Sequence, residues 1–287
     1  MMVIHMKWII LGTSLALLTA CGNDNSQAAE EPEAAPETQQ LEESTASNSE
    51  EVTEESVEKP EETEEIDTVE EIEQKEPQYR VNPATWGVEP IADAPAEAVL
   101  ITIDDAPDKH AVKMAETLQQ LDIPAIFFVN GHFLDTDEEK EQLRKIHDMG
   151  FAIGNHTNSH PNLKNLTEEQ QREEIITLSE TVESIIGEKP AFFRAPHGSN
   201  TDFSKALVEQ EGMVLMNWSY GYDWEQQYMD AGALADIMVH TEFLRNGANL
   251  LMHDREWTAE ALPAIAEGLK QKGYTFVDPD EIEGVNP

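Results

Sequence analysis

Cysteine is nearly absent from this chain: a single residue, Cys21, among 287. A lone thiol rules out a disulfide framework and any cysteine-based zinc cluster, so a metal centre here would have to be built from histidines and carboxylates. Cationic side chains are scarce as well. There are 18 Lys and Arg against 58 Asp and Glu, a formal net charge of −40. That balance argues against binding nucleic acid or an anionic membrane surface, because both need clustered positive charge. No apolar run reaches the roughly 20 residues that a membrane-spanning helix requires. No internal repeat of fixed period is present either, which removes solenoid architectures.

The first 21 residues read MMVIHMKWIILGTSLALLTAC, with one Lys, an apolar run from Trp8 to Leu18, and small residues before the cysteine. This is the pattern of an export signal. Leu18, Thr19, Ala20 and Cys21 resemble a bacterial lipoprotein box. The resemblance implies a signal peptide over 1–20, a diacylated Cys21 and attachment to the outer face of the cell membrane. The alternative is a secreted protein cleaved near Ala20, with Cys21 a bystander.

Residues 22–79 contain 21 acidic and 2 basic side chains among Glu, Ser, Thr, Pro, Ala and Gln. Such a segment cannot bury enough apolar surface to offset its ordering entropy, and its charges repel one another. The expectation for 21–79 is therefore a disordered acidic linker, spanning roughly 40 Å on a flexible-coil estimate. It reads as a tether or simply as a solubilising tail. The remaining residues, 80–287, carry 37 acidic and 15 basic side chains, room for one domain of about 200 residues, or at most two small ones, and that folded part is itself strongly acidic.

Within 80–287 short apolar runs alternate with amphipathic helical patterns. The runs cover 98–103, 123–129, 151–154, 191–193, 213–218, 249–252 and 274–277, and helices are expected near 109–121, 136–148, 167–186, 200–211, 231–244 and 258–272. Thr167 opens the third helix, followed by charged residues in its first turn. Alternation at this pitch predicts an α/β fold, a parallel sheet covered by helices, with active groups at the C-terminal ends of the strands.

Those ends hold the chemistry-bearing residues. The first run stops in Asp104 and Asp105, an adjacent pair expected to point to opposite sides, one toward a metal and one free as a base; such a pair is also a common loop cap. The third run leads into Asn155-His156-Thr157-Asn158-Ser159-His160, where two histidines four apart would converge on one ion if the segment made a helical turn. Otherwise they are two polar loop histidines. Arg194, Pro196 and His197 follow the fourth run, Asp223 and Trp224 the fifth, and Leu251, Met252 and His253 the sixth. Each has a bland reading as a salt bridge, a cap or a core side chain, but their placement at successive strand ends is hard to obtain by chance.

Taken together, TIDDA, HTNSH, RAPHG, GYDW and LMH resemble, in order, the five motifs of the polysaccharide deacetylase, or NodB-homology, family of carbohydrate esterases, over about residues 97–278. The resemblance implies a distorted (β/α) barrel of about seven parallel strands and hydrolytic removal of acetyl groups from an acetamido sugar. Carried over position by position, Asp105, His156 and His160 would bind a divalent metal, zinc first, with cobalt, nickel or manganese as alternatives. A carboxylate and two neutral imidazoles leave such an ion a net positive charge with which to polarise an amide. Asp104 would be the general base, oriented and kept ionised by Arg194. His253 would be the general acid, its imidazolium favoured by Asp223. The backbone N–H of His197 would help stabilise the oxyanion, and Trp224 and Leu251 would line an acetyl pocket.

The chain departs from the family pattern at Ile103, Ala106, His197 and Tyr220. Ala106 replaces a usual glycine, a change expected to be tolerated. Tyr220 stands where the longer form of the fourth motif often has another Asp. The expected substrate is an N-acetylated glycan, cell-wall peptidoglycan above all, at either its N-acetylglucosamine or its N-acetylmuramic acid units. Chitooligosaccharide, poly-N-acetylglucosamine and acetylxylan are alternative substrates, and a noncatalytic wall-binding lipoprotein is the alternative of a different class. The expected working form is a monomer, with the lipid bilayer met only through Cys21.

Overall fold

The computed structural model describes residues 76–285; the signal peptide, Cys21 and nearly all of the acidic linker lie outside the described residues. The chain enters through a short antiparallel hairpin, β1 (Tyr79–Val81) and β2 (Val88–Pro90). Then come β3 (Ala98–Ala106), α1 (Ala111–Gln120), β4 (Ala125–Val129), α2 (Asp137–Asp148), β5 (Ala152–Asn155) and α3 (Glu168–Ile186). The second half holds β6 (Phe192–Phe193), α4 (Asp202–Gln210), β7 (Val214–Leu215), α5 (Ala231–His240), β8 (Ala248–His253), α6 (Glu256–Gln271) and β9 (Thr275–Phe276).

Seven strands form one parallel sheet in the order β7-β6-β5-β4-β3-β8, with β9 pairing the first two residues of β3 ahead of β4. The sheet curls into a half-barrel. The segment 216–220 bridges its two ends: Met216 N–H donates to Phe193 O, Ser219 N–H to Asn249 O, and Leu251 N–H to Tyr220 O at 2.8–3.0 Å. All seven apolar runs and all six helical patterns of the sequence appear as elements. The hairpin β1–β2 was not anticipated.

The period-2 alternation of β3 divides the core and sets up the site. Val99, Ile101 and Ile103 pack outward with Met114, Leu118, Leu262 and Ile265 of the helices, whereas Ala98 and Leu100 pack inward with Ile126, Phe128, Phe192 and Met216. Continuing the inward row brings Thr102 and then Asp104 to the mouth of the barrel. Strict alternation would send Asp105 outward. Instead the strand bulges, its pairing with β4 shifting between Ile103 and Ala106, and Asp105 adopts φ +59°. A bulge of this kind re-aims a side chain. The two carboxylates therefore face the same cleft, which corrects the expectation that they point to opposite sides. Ala106, beyond the bulge, is fully buried in the outer core.

Helix starts follow their sequence signals. Thr136, Thr167 and Thr201 each close a capping box, and Asp230 caps α5. Two helices lack such a cap: α6, with Arg255 at its N-cap, and α1, whose N-cap residue His110 makes no side-chain cap. The cap of α1 comes from 144 residues away: the carboxylate of Asp254 accepts N–H bonds from Asp108, Lys109, His110 and Ala111 at 2.6–3.0 Å. Among the described residues no helix is long and apolar enough to cross a membrane.

Candidate active site

At the C-terminal end of the sheet a cleft of about 420 Å³ is lined by Asp104, Asp105, His156, His160, His197, Trp218, Trp224, Leu251 and His253. Asp105, His156 and His160 offer one ligand atom each, all within 4.8 Å of one another. His160 Nε2 lies 3.5 Å and His156 Nε2 3.9 Å from Asp105 Oδ1. The histidines do not converge through a helical turn, as the HxxxH spacing suggested. After β5 the chain runs as an irregular loop with Thr157 at φ +69° and His160 at φ +59°.

That loop is tied down from both sides. Asn130 Nδ2 donates to the carbonyls of His156 and Thr157, and Asn155 Oδ1 accepts the N–H of Thr157. The His156 ring is oriented too, since its Nδ1 donates to Arg194 O at 2.7 Å, leaving Nε2 as the free lone pair in the cleft. Such a second bond is the usual way a metal-binding imidazole is held in one tautomer. Burial pushes His156 down to about 3 and His160 down as well, against the pull of Asp105. Both rings are thus neutral near pH 7, as ligands must be. The donor set fits a divalent ion that takes nitrogen and oxygen ligands.

Beside this cluster lies a fully buried ion pair. Arg194, 0% exposed, donates from Nη1 to Asp104 Oδ1 at 2.6 Å and to Thr102 Oγ1 at 2.8 Å, and from Nη2 to Asn217 O at 2.8 Å, while its guanidinium stacks 4.2 Å from the centre of the Phe128 ring. Asp104 Oδ2 remains in the cleft, 3.5 Å from His156 Nε2. Arg194 orients Asp104 as expected, but its charge does not decide the carboxyl's affinity for a proton. Burial pushes Asp104 up, Arg194 and His253 pull it down, and the net displacement is upward. The result is a stronger base than a solvated Asp.

Across the cleft His253 Nδ1 meets Asp223 Oδ1 at 2.7 Å, and Asp223 Oδ2 accepts from His253 N–H and Thr258 Oγ1 at 2.6 and 2.8 Å. Burial alone would lower His253. The hydrogen bond and charge of Asp223, with Asp104 and Asp105 behind it, outweigh burial and raise it. Gly221 allows this approach, because any Cβ there would run into Leu251 O. Trp224, 46% exposed, forms a wall edge-on to His253, with ring centres 5.4 Å apart, and Leu251 is buried beneath.

His197 is exposed at φ +56°, its ring 4.9 Å from that of His160. Every sequence-derived site residue among the described ones thus lies in or against this cleft. Tyr220 does not face it: its hydroxyl donates to Met238 O in the core. Sequence reasoning missed Trp218, Asn130 and the two residues after His253. Asp254 caps α1, and Arg255 Nη2 donates to Asp105 Oδ2 at 2.9 Å.

The curled sheet is the (β/α) barrel fold of the CE4 deacetylases: a family 4 carbohydrate esterase from Streptomyces lividans, solved in complex with acetate, superposes with a TM-score of 0.57 at 26% identity, covering 63% of this chain and 91% of that one. Residues 92–216 match the family model for Polysaccharide deacetylase, and this match together with the relatives below supports that family for the chain. Uncharacterized protein YlxY of Bacillus subtilis is 32% identical over 71% of this chain and 59% of its own length. A peptidoglycan-N-acetylglucosamine deacetylase of Bacillus cereus is 29% identical over 62% of this chain and 66% of its own. The chain therefore spans less than two thirds of either relative. A CE4 family pseudoenzyme from Bacillus anthracis is also similar, at 26% identity and a TM-score of 0.59 over 64% of each chain.

Proposed function

We propose that this chain is a metal-dependent deacetylase that hydrolyses the acetamido groups of cell-wall peptidoglycan, held outside the cell membrane by a lipid on Cys21. The observation that carries the reading is the meeting, in one cleft, of the Asp105, His156 and His160 ligand atoms with the buried Arg194–Asp104 ion pair and the His253–Asp223 pair. Asp105, His156 and His160 would hold the ion, zinc by its donor set. When bound it would supply a positive centre that polarises the acetyl carbonyl and acidifies water.

The protein's own groups do the proton work. Asp104, oriented by Arg194, takes a proton from the attacking water as the new C–O bond forms. His253, oriented by Asp223, gives a proton to the sugar nitrogen as the C–N bond breaks, so that amine and acetate leave. The N–H of His197 would donate to the developing oxyanion. Trp218, Trp224 and Leu251 provide apolar walls for the acetyl group and the sugar face.

The named deacetylase relative supports the peptidoglycan preference, and the acidic linker and lipoprotein-like tetrad support work beside the wall. Likeness to a pseudoenzyme makes a noncatalytic role the competing reading. The test is acetate release from peptidoglycan, chitin oligomers and acetylxylan, compared with Asp104→Asn. Release from peptidoglycan that falls at least 100-fold in the variant is expected; equal background in both proteins would favour the noncatalytic reading. Recovery of a Cys21→Ser variant in the membrane fraction would count against the anchor.

A further inference from the structure

Among the described residues, Arg255 is the one cation that touches the proposed ligand set from outside the five motifs. It sits at the N-terminal end of α6, two residues beyond His253. Its Nη1 donates to Asp254 O at 3.0 Å and its Nη2 to Asp105 Oδ2 at 2.9 Å, with Asp105 only 16% exposed at the side chain. The two oxygens of Asp105 are thereby assigned different partners. Oδ2 is taken by the guanidinium, and Oδ1 faces His156 Nε2 and His160 Nε2. Asp105 needs such a partner more than most carboxylates. It stands on a bulge at positive φ, where the strand itself does not fix the direction of its side chain.

We propose that Arg255 is a positioning residue for Asp105: by occupying Oδ2 it holds the carboxylate with Oδ1 presented as a single ligand atom. The proposal rests on the metal reading above. A planar donor anchored on a neighbouring carbonyl fixes a carboxylate in both position and rotation. Removing the partner of a ligand in this way usually weakens metal binding by about 10- to 100-fold. A guanidinium that acted only as a nearby positive charge would do the opposite, since its loss would tighten binding of a cation.

The experiment is Zn²⁺ binding to the full chain, measured by competition with a chromophoric chelator, for wild type, Arg255→Ala, Arg255→Lys and His160→Ala. Melting in excess chelator runs alongside. Arg255→Ala should bind Zn²⁺ at least tenfold more weakly than wild type, and Arg255→Lys, which can still reach one carboxylate oxygen, should fall between the two. A smaller loss in Arg255→Ala, or tighter binding, overturns the proposal. So does an Arg255→Lys affinity no better than that of Arg255→Ala when both lose the same metal-free stability, because that pattern belongs to a purely structural contact. Should wild type bind Zn²⁺ no better than His160→Ala, the metal reading itself fails and the proposal falls with it; normal wild-type binding with an unchanged Arg255→Ala sinks the proposal alone.

Discussion

Asp104 and His253 are displaced in the same direction for different reasons, and the difference decides how activity should respond to pH. Burial raises Asp104, so this carboxylate is lost to protonation at a higher pH than a solvated one would be. Asp223 raises His253, so this imidazolium keeps its proton to a higher pH than a free one would. On the proposed mechanism turnover needs Asp104 ionised and His253 protonated, which gives a bell with an acid limb from the first and an alkaline limb from the second. Asp223→Asn keeps a hydrogen-bond acceptor near Nδ1 but removes the charge. The His253 value should then fall and the alkaline limb move to lower pH, with the acid limb nearly in place. His253→Ala should lower turnover by about 10²- to 10⁴-fold without loss of metal. A pH–rate profile of Asp223→Asn that superimposes on wild type would remove His253 from the role of acid.

The elements were readable where burial and period agree. β3 and β4 are continuous apolar runs because they are buried on both faces, and α2 to α4 announce themselves through threonine caps. What sequence could not reveal was local departure from regular geometry: the bulge that turns Asp105 inward, and the positive-φ loop that replaces a helical turn between His156 and His160. The fifth apolar run extends to Trp218, but β7 stops at Leu215 and the chain then bridges toward β8, with Met216 in the inner core and Trp218 lining the cleft. Asp254 was invisible for a related reason, since its work is to cap a helix distant in sequence. It is 1% exposed and holds four amides of the loop that follows the Asp104–Asp105 pair. Asp254→Ala strands these donors and should cost about 2–3 kcal/mol, above the usual cap value because several bonds go at once. For a domain of this size that is a melting point lower by about 4–12 °C. Faster hydrogen exchange at residues 108–111 should accompany it, and exchange unchanged there would show that the loop is held by something else.

At the scale of the whole molecule, the ion and the fold should prove largely independent. The cleft lies at the end of the barrel, and the two cores beneath it, outward and inward of β3, contain none of the three candidate ligands. A structural zinc would replace such cores, whereas this site only sits on top of them. Stripping metal with a chelator should therefore leave far-ultraviolet dichroism and cooperative melting intact. Adding Zn²⁺ back at about 100 times its dissociation constant should stabilise the native state by about 2.7 kcal/mol through mass action. At about 2–4 °C per kcal/mol, that becomes a rise of about 5–11 °C in melting temperature. His160→Ala keeps both cores and should melt close to metal-free wild type, yet show almost none of the rise. The acidity of residues 80–287, 37 acidic against 15 basic side chains, adds a control, because any cation screens self-repulsion. Mg²⁺ at the same concentration should raise both proteins equally and slightly. An equal rise with Zn²⁺ in wild type and His160→Ala would mean that the ion was neutralising the surface and not entering the cleft.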